Sequence, residues 1–212
     1  MIPSQATTGL PYLVHVPPVR TPHRLLLFLH GKGESGQDLG ALARHSLGAE
    51  LARNPDKWPF LVVIPQKSDP NSLWPELSTE LSALLNDLAG KHELATDGHV
   101  AMGLSQGGHG ALALPAGFCL KFDQVVSFCG WGEPRELSLS LTGKRVWLFH
   151  GQRDMIVPCQ ASLAVHDNLV ACGIACKLTL YPRLGHNCWD TALAEPALSE
   201  WLVLGNERAG MP

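Results

Sequence analysis

A chain of 212 residues, 45% apolar and 17% charged, is long enough to bury one sizeable core, which excludes intrinsic disorder and a small disulfide-stapled fold. Sixteen basic against nineteen acidic residues leave a formal charge of −3, so no broad positive field exists to hold nucleic-acid phosphates or an anionic bilayer. No apolar run nears the roughly 18 residues of a membrane span and no charged-then-apolar leader opens the chain, so the six cysteines are expected as free thiols of a cytoplasmic protein.

Along the chain, short apolar runs bounded by Gly and Pro alternate with stretches of helical spacing, the pattern of βαβ units and a mainly parallel sheet. Tyr12–Val16 alternates weakly and stops at Pro17-Pro18, which predicts an edge strand. Arg24–His30 has an unbroken apolar centre, as a strand covered on both faces should. It runs into His30-Gly31-Lys32-Gly33, whose glycines let backbone approach a ligand closely. The same loop, read on to Gly36, matches the dinucleotide-binding pattern G-x-G-x-x-G, but the next strand, Phe60–Pro65, closes on Gln66-Lys67 and offers no carboxylate for a ribose. Helices are predicted over Gln37–Leu51 and Glu76–Gly90, with Trp74 in the loop before the second.

The strand His99–Leu104 then enters Gly103-Leu104-Ser105-Gln106-Gly107, a G-x-S-x-G run opening a small-residue helix over Gln106–Gly117. A strand turning sharply into a helix crowds the backbone; flanking glycines relieve the crowding, and the serine hydroxyl projects outward beside helix N–H groups suited to a developing anion. The strand Gln124–Cys129 follows, with Trp131 just beyond it. The segment Glu133–Lys144, with Leu137, Leu139 and Leu141 in alternation, leaves little room for an inserted domain. Strand Arg145–His150 leads into Gly151-Gln152-Arg153-Asp154, then a helix over Cys159–Cys172. Strand Cys176–Tyr181 leads into Pro182-Arg183-Leu184-Gly185-His186, and a final helix covers Trp189–Val203.

A serine hydroxyl needs a base to take its proton and a carboxylate to orient that base. In a doubly wound sheet the ligand crevice lies beyond the carboxyl ends of the strands, so the partners of Ser105 must follow strands. Asp154 and His186 do so, giving nucleophile, acid and base in chain order. Asp190 stands too close to His186 in sequence to face it, and Asp123 precedes a strand. His30 and His150 end strands before glycines and are expected as structural hydrogen-bond formers, His150 being too near Asp154 in sequence to be its obvious partner. The backbone N–H groups of Lys32 and Gln106 are the expected oxyanion donors. Trp74, Trp131 and Trp189 fall in or beside loops at the same edge of the sheet, either as core or as an apolar wall for substrate. His186 and Cys188 have no zinc-site spacing, so no metal is expected, and Cys172 and Cys176 are read as packing residues.

Together, His-Gly-Lys-Gly at 30–33, Gly-Leu-Ser-Gln-Gly-Gly at 103–108, Gly-Gln-Arg-Asp-Met-Ile-Val-Pro at 151–158 and Gly-His-Asn-Cys-Trp at 185–189 resemble the phospholipase/carboxylesterase branch of the α/β-hydrolases and dienelactone-hydrolase-like esterases. The resemblance covers about residues 24–204. It implies Ser105 as nucleophile, His186 as base, Asp154 as orienting acid and Lys32 and Gln106 as oxyanion donors, without a cofactor. Trp74 is followed by Pro75, where Phe is frequent, and Asn187 stands where Asp is frequent, so it names no substrate.

The expected protein is one α/β domain over residues 1–212, helices on both faces of the sheet and no cap domain. Its expected activity is cleavage of short to medium carboxylic esters through an acyl-Ser105 intermediate, with self-association open. The alternatives are an acyl thioesterase or lysophospholipase using the same triad, and a non-catalytic binding protein on the same scaffold.

Overall fold

The computed structural model describes residues 1–5, 9–114 and 117–204. Its centre follows from β3 (Leu25–Leu29), five apolar residues that are all buried. Leu25, Leu27 and Leu29 point into one core layer and Leu26 and Phe28 into the other, so the run is continuous because both faces are covered. Each such side chain contributes about 1.5–3 kcal/mol on burial.

Around it stand β1 (Ile2–Gln5), β2 (Pro11–His15), β4 (Leu61–Pro65), β5 (His99–Leu104), β6 (Phe122–Phe128), β7 (Arg145–Gly151) and β8 (Ala175–Tyr181). The sheet order is β1-β2-β4-β3-β5-β6-β7-β8. β1 and β2 are antiparallel, and β2 meets β4 antiparallel; every pairing from β4 to β8 is parallel.

One layer packs α3 (Ser78–Lys91), α4 (Gln106–Leu112), α5 (Pro134–Leu141) and α6 (Gln160–Ala171) on the sheet through residues such as Leu84, Leu112, Leu137 and Val165. The other packs α1 (Leu39–Arg44), α2 (Ser46–Arg53), α7 (Trp189–Ala194) and α8 (Pro196–Val203) through Leu42, Leu51, Leu193 and Leu198. The fold is thus the expected mostly parallel α/β sheet with helices on both faces.

Several elements differ from expectation. Tyr12–Val16 was expected at the edge, but β1 pairs outside it, so β2 has a neighbour on each side. The single helix expected over Gln37–Leu51 is two. His45 is extended and Ser46 has φ +46°, while Gly48 lets α2 fold back on α1: an added Cβ would lie 1.8 Å from Leu42 O. The last helix likewise divides at Glu195, because Pro196 lacks an N–H and starts a new helix at its first position. The leucine alternation in 133–144 is α5, with Leu137 and Leu141 buried one turn apart and Leu139 82% exposed. A single short helix therefore joins β6 to β7, with no cap. Cys172 is exposed rather than packed, and all six cysteines are free. Among the described residues no helix is long and apolar enough to cross a membrane.

Candidate active site

Ser105 sits between β5 and α4 with φ +52° and ψ −118°, a conformation that side chains other than glycine rarely adopt. Two close approaches hold it there. A Cβ on Gly103 would lie 2.1 Å from Gly107 O, and one on Gly107 would lie 1.8 Å from Leu29 O, so neither position tolerates a side chain. The Ser105 N–H donates to Phe128 O at 2.8 Å, tying the turn to the end of β6.

Asp154 follows β7 and is held by its own turn, with Oδ1 accepting from the N–H groups of Ile156 (2.8 Å) and Val157 (2.9 Å). The His186 loop docks on this turn backbone to backbone: Arg153 N–H donates to Leu184 O at 2.9 Å, and a Cβ on Gly151 would come 2.1 Å from Gly185 O. That packing brings His186 Nδ1 to 2.6 Å from Asp154 Oδ2 and His186 Nε2 to 3.0 Å from Ser105 Oγ. Since a carboxylate only accepts, Nδ1 carries the proton and Nε2 is the atom left to receive one from Ser105.

The surroundings set the charges. Burial works to raise the Asp154 carboxyl, but the bonds from His186, Val157 and Ile156 outweigh it and hold the pKa below the ordinary carboxylate value. His186 lies above the ordinary histidine value, raised first by the Cys129 sulfur and then by Asp154, against the effect of burial. Cys129 Sγ stands 3.0 Å from His186 O and 3.1 Å from Cys188 Sγ, so two buried thiols underlie the histidine loop.

On the opposite side of Ser105, the turn Lys32–Glu34 follows β3. Lys32 and Gln106 are each the first residue of a helical turn, so their N–H groups have no acceptor within it. The loop is braced beneath. Trp74 Nε1 donates to His30 O at 2.9 Å, Lys67 N–H donates to His30 Nε2 at 3.2 Å, and Gly31 N–H donates to Glu34 Oε2 at 3.0 Å. Burial depresses the His30 pKa to about 4, in keeping with its expected structural role. The Gln106 side chain is anchored away by Lys67 Nζ and Pro70 O, leaving its backbone at the site.

These residues open on a cleft of about 840 Å³ whose wall includes Lys32, Ser105, Gln106, His186, Trp131 and Trp189. Trp131 stacks on His109, and Trp189 meets His186 edge-on at 5.5 Å. Trp74, expected as a wall residue, is not one: it is fully buried, its indole spent on His30 O and its ring packed against Gly110. Polar side chains that sequence reasoning did not assign to the cleft also line it: Glu34, His45, Ser46, Asn187 and Asp190. His45 and Ser46 reach it only because of the break between α1 and α2, which no Pro or Gly at the break announces. Asp190 pairs with Asn187 Nδ2 at 2.9 Å rather than with His186.

His150 corrects a second expectation, because its Nε2 lies 3.1 Å from Asp154 Oδ2 despite the short separation in sequence. Cys129, His150 and Asp154 offer potential metal-ligand atoms within 4.8 Å of one another. All three are already engaged: Cys129 with His186 O, His150 with Ser162 Oγ, and Asp154 with His186.

A family model described as phospholipase/carboxylesterase matches residues 52–199. No curated protein matches the chain. Among solved structures, 95% of the chain aligns with a thermostable esterase at 24% identity and a TM-score of 0.79, covering 61% of that protein's length. Esterase PE8 aligns with 95% of this chain and 96% of its own at 22% identity and a TM-score of 0.63. A thermophilic esterase of the planctomycete Thermogutta terrifontis, with propionate bound, aligns over 96% of this chain and 92% of its own at 14% identity and a TM-score of 0.69. At these identities the structural likeness is one of fold.

Proposed function

Since the chain belongs to the phospholipase/carboxylesterase family of α/β-hydrolases, we propose that it hydrolyses carboxylic esters through an acyl intermediate on Ser105. The observation that carries this reading is the continuous hydrogen-bonded line from Ser105 Oγ through both nitrogens of His186 to Asp154, at 3.0 and 2.6 Å. In the proposed cycle His186 Nε2 takes the Ser105 proton as Oγ attacks the ester carbonyl carbon. The carbonyl oxygen becomes an oxyanion facing the N–H groups of Lys32 and Gln106, each donor worth roughly 3 kcal/mol in the transition state. The tetrahedral species collapses, His186 gives its proton to the departing alkoxide, and the alcohol leaves. Water, deprotonated by the same nitrogen, then releases the acid and frees Ser105.

The cleft favours small esters. Trp131 and Val157 give it an apolar wall, and no inserted domain stands over it between β6 and β7. Labelling with a fluorophosphonate, followed by a panel of esters, thioesters, lactones and amides, tests the reading. Ester turnover with labelling at Ser105 is expected, and Ser105→Ala should lower kcat by on the order of 10⁶ in a folded protein. Near-normal ester turnover by that variant would discard the mechanism, and absence of labelling in the parent would favour a binding protein.

A further inference from the structure

Asp154 is bonded by two histidines on one oxygen. Its Oδ2 accepts from His186 Nδ1 at 2.6 Å and lies 3.1 Å from His150 Nε2, while Oδ1 is filled by the two backbone N–H groups of its turn. His150 is wholly buried at the end of β7. Its Nε2 is also 2.9 Å from Val157 O, so this nitrogen faces a carboxylate and a carbonyl, both of which only accept. Nε2 must therefore carry a proton. At the other end of the ring, Nδ1 is 2.7 Å from Ser162 Oγ, which also lies 3.4 Å from Gly130 O; in the neutral ring the shorter contact takes the hydroxyl proton. The ring is thus clamped between α6 and the Asp154 turn in one tautomer, Nε2–H.

Resting on the serine-esterase reading, we propose that His150 is a positioning residue for the reaction: its Nε2–H fixes the Asp154 carboxylate and shares Oδ2 with His186, tempering how strongly Asp154 draws a proton onto His186. A donor on Oδ2 withdraws negative charge from the oxygen that stabilises the His186 imidazolium. Removing the donor leaves that oxygen more basic and His186 harder to deprotonate. The groups facing His186 are Ser105, Asp154, the Cys129 sulfur and the Trp189 ring, with Cys188 against Cys129. Changing residue 150 touches Asp154 directly and also the Cys129 sulfur, which lies within 4.8 Å of the His150 ring, so the comparison is repeated in a Cys129→Ala background to separate the two routes.

The experiment compares His150→Phe, which keeps the ring volume and removes both nitrogens, with His150→Gln, whose amide N–H can occupy the place of Nε2. The Phe variant should lose about 10- to 100-fold in kcat with KM little changed, the scale usual when a partner orienting a functional side chain is removed. Its His186 titration, followed by NMR of ¹⁵N-labelled imidazoles and by the acid limb of kcat/KM, should move up by about one pH unit. The Gln variant should return both toward the parent. An unmoved His186 titration in folded His150→Phe, or equal behaviour of the two variants, overturns the proposal and leaves His150 a packing residue. If the Phe variant does not fold, the parent decides. Its neutral His150 must show the Nε2–H tautomer, and an Nδ1–H tautomer overturns the assignment. The NMR readouts need no substrate, so they stand or fall separately from fluorophosphonate labelling of Ser105, which judges the esterase reading itself.

Discussion

At the scale of single residues, the site sets two carboxylates apart: Asp190 lines the cleft, and Asp154 does not. Asp154 is buried and bonded to His186, whereas Asp190 is exposed and bonded to Asn187. Asp154→Asn would present an amide to His186 Nδ1 and favour the wrong tautomer, so kcat should fall on the order of 10⁴. Asp190→Asn should change it far less; steady-state kinetics on both would show an error in the acid if the ranking reversed. On the proposed mechanism the pH dependence follows from His186, which must be unprotonated at Nε2 to act as base. Because its pKa is raised from 6.5, activity is absent at low pH and appears as pH rises through a value above 6.5. A pH profile of kcat/KM should show that acid limb, and one centred below 6.5 would contradict the assigned environment.

At the scale of elements, the precision of the site comes from backbone packed on backbone. Gly151 ends β7 with Gly185 O and Leu184 O where a Cβ would go, at 2.1 and 2.5 Å, and neither carbonyl is a flexible side-chain tip. Gly151→Ala should therefore push the Asp154 and His186 loops apart, costing about 3 kcal/mol or more of stability by urea denaturation and most of the activity even where the chain folds. A variant with parent-like stability and turnover would show that the two loops do not depend on this contact. Elements of this kind were legible in sequence, since a covered strand is a run such as Leu25–Leu29 and a tight strand-to-helix turn demands glycines at 103 and 107. What escaped were features fixed by distant partners. β1 needs β2 to exist, the break at His45 answers to Gly48 meeting Leu42 O, and Trp74 is drawn inside by a carbonyl 44 residues away. His150 escaped for a local reason: the tight turn Gly151–Asp154 folds the carboxylate back over the preceding ring, which linear separation hides.

At the scale of the whole molecule, the machinery stands at one edge of the sheet and, among the described residues, nothing large covers it. A lipase gains rate at an oil surface because a lid opens there. Here β6 and β7 are joined through α5 alone, so the cleft is already open and monomeric esters should be turned over with no rate jump at the critical micelle concentration. Each CH₂ of acyl chain buried on the apolar wall should add about 0.8 kcal/mol until the wall ends, so kcat/KM should climb over short chains and level off. A several-fold jump at the micelle threshold, read from rate against substrate concentration, would show a covering segment.

The strained conformation of Ser105 bears also on time. Its turn is held by Leu29 O of β3 and Phe128 O of β6, and its histidine and acid arrive on the loops after β8 and β7. On the proposed reading, no local stretch of chain can therefore make the serine reactive; five parallel strands, gathered from residues 25 to 181, must be side by side first. Helices form early and such long-range pairings late, because loop closure must precede them. A reagent that modifies Ser105 only in its finished setting thus serves as a clock for refolding, counting completed sheets rather than the helical content that builds up before them.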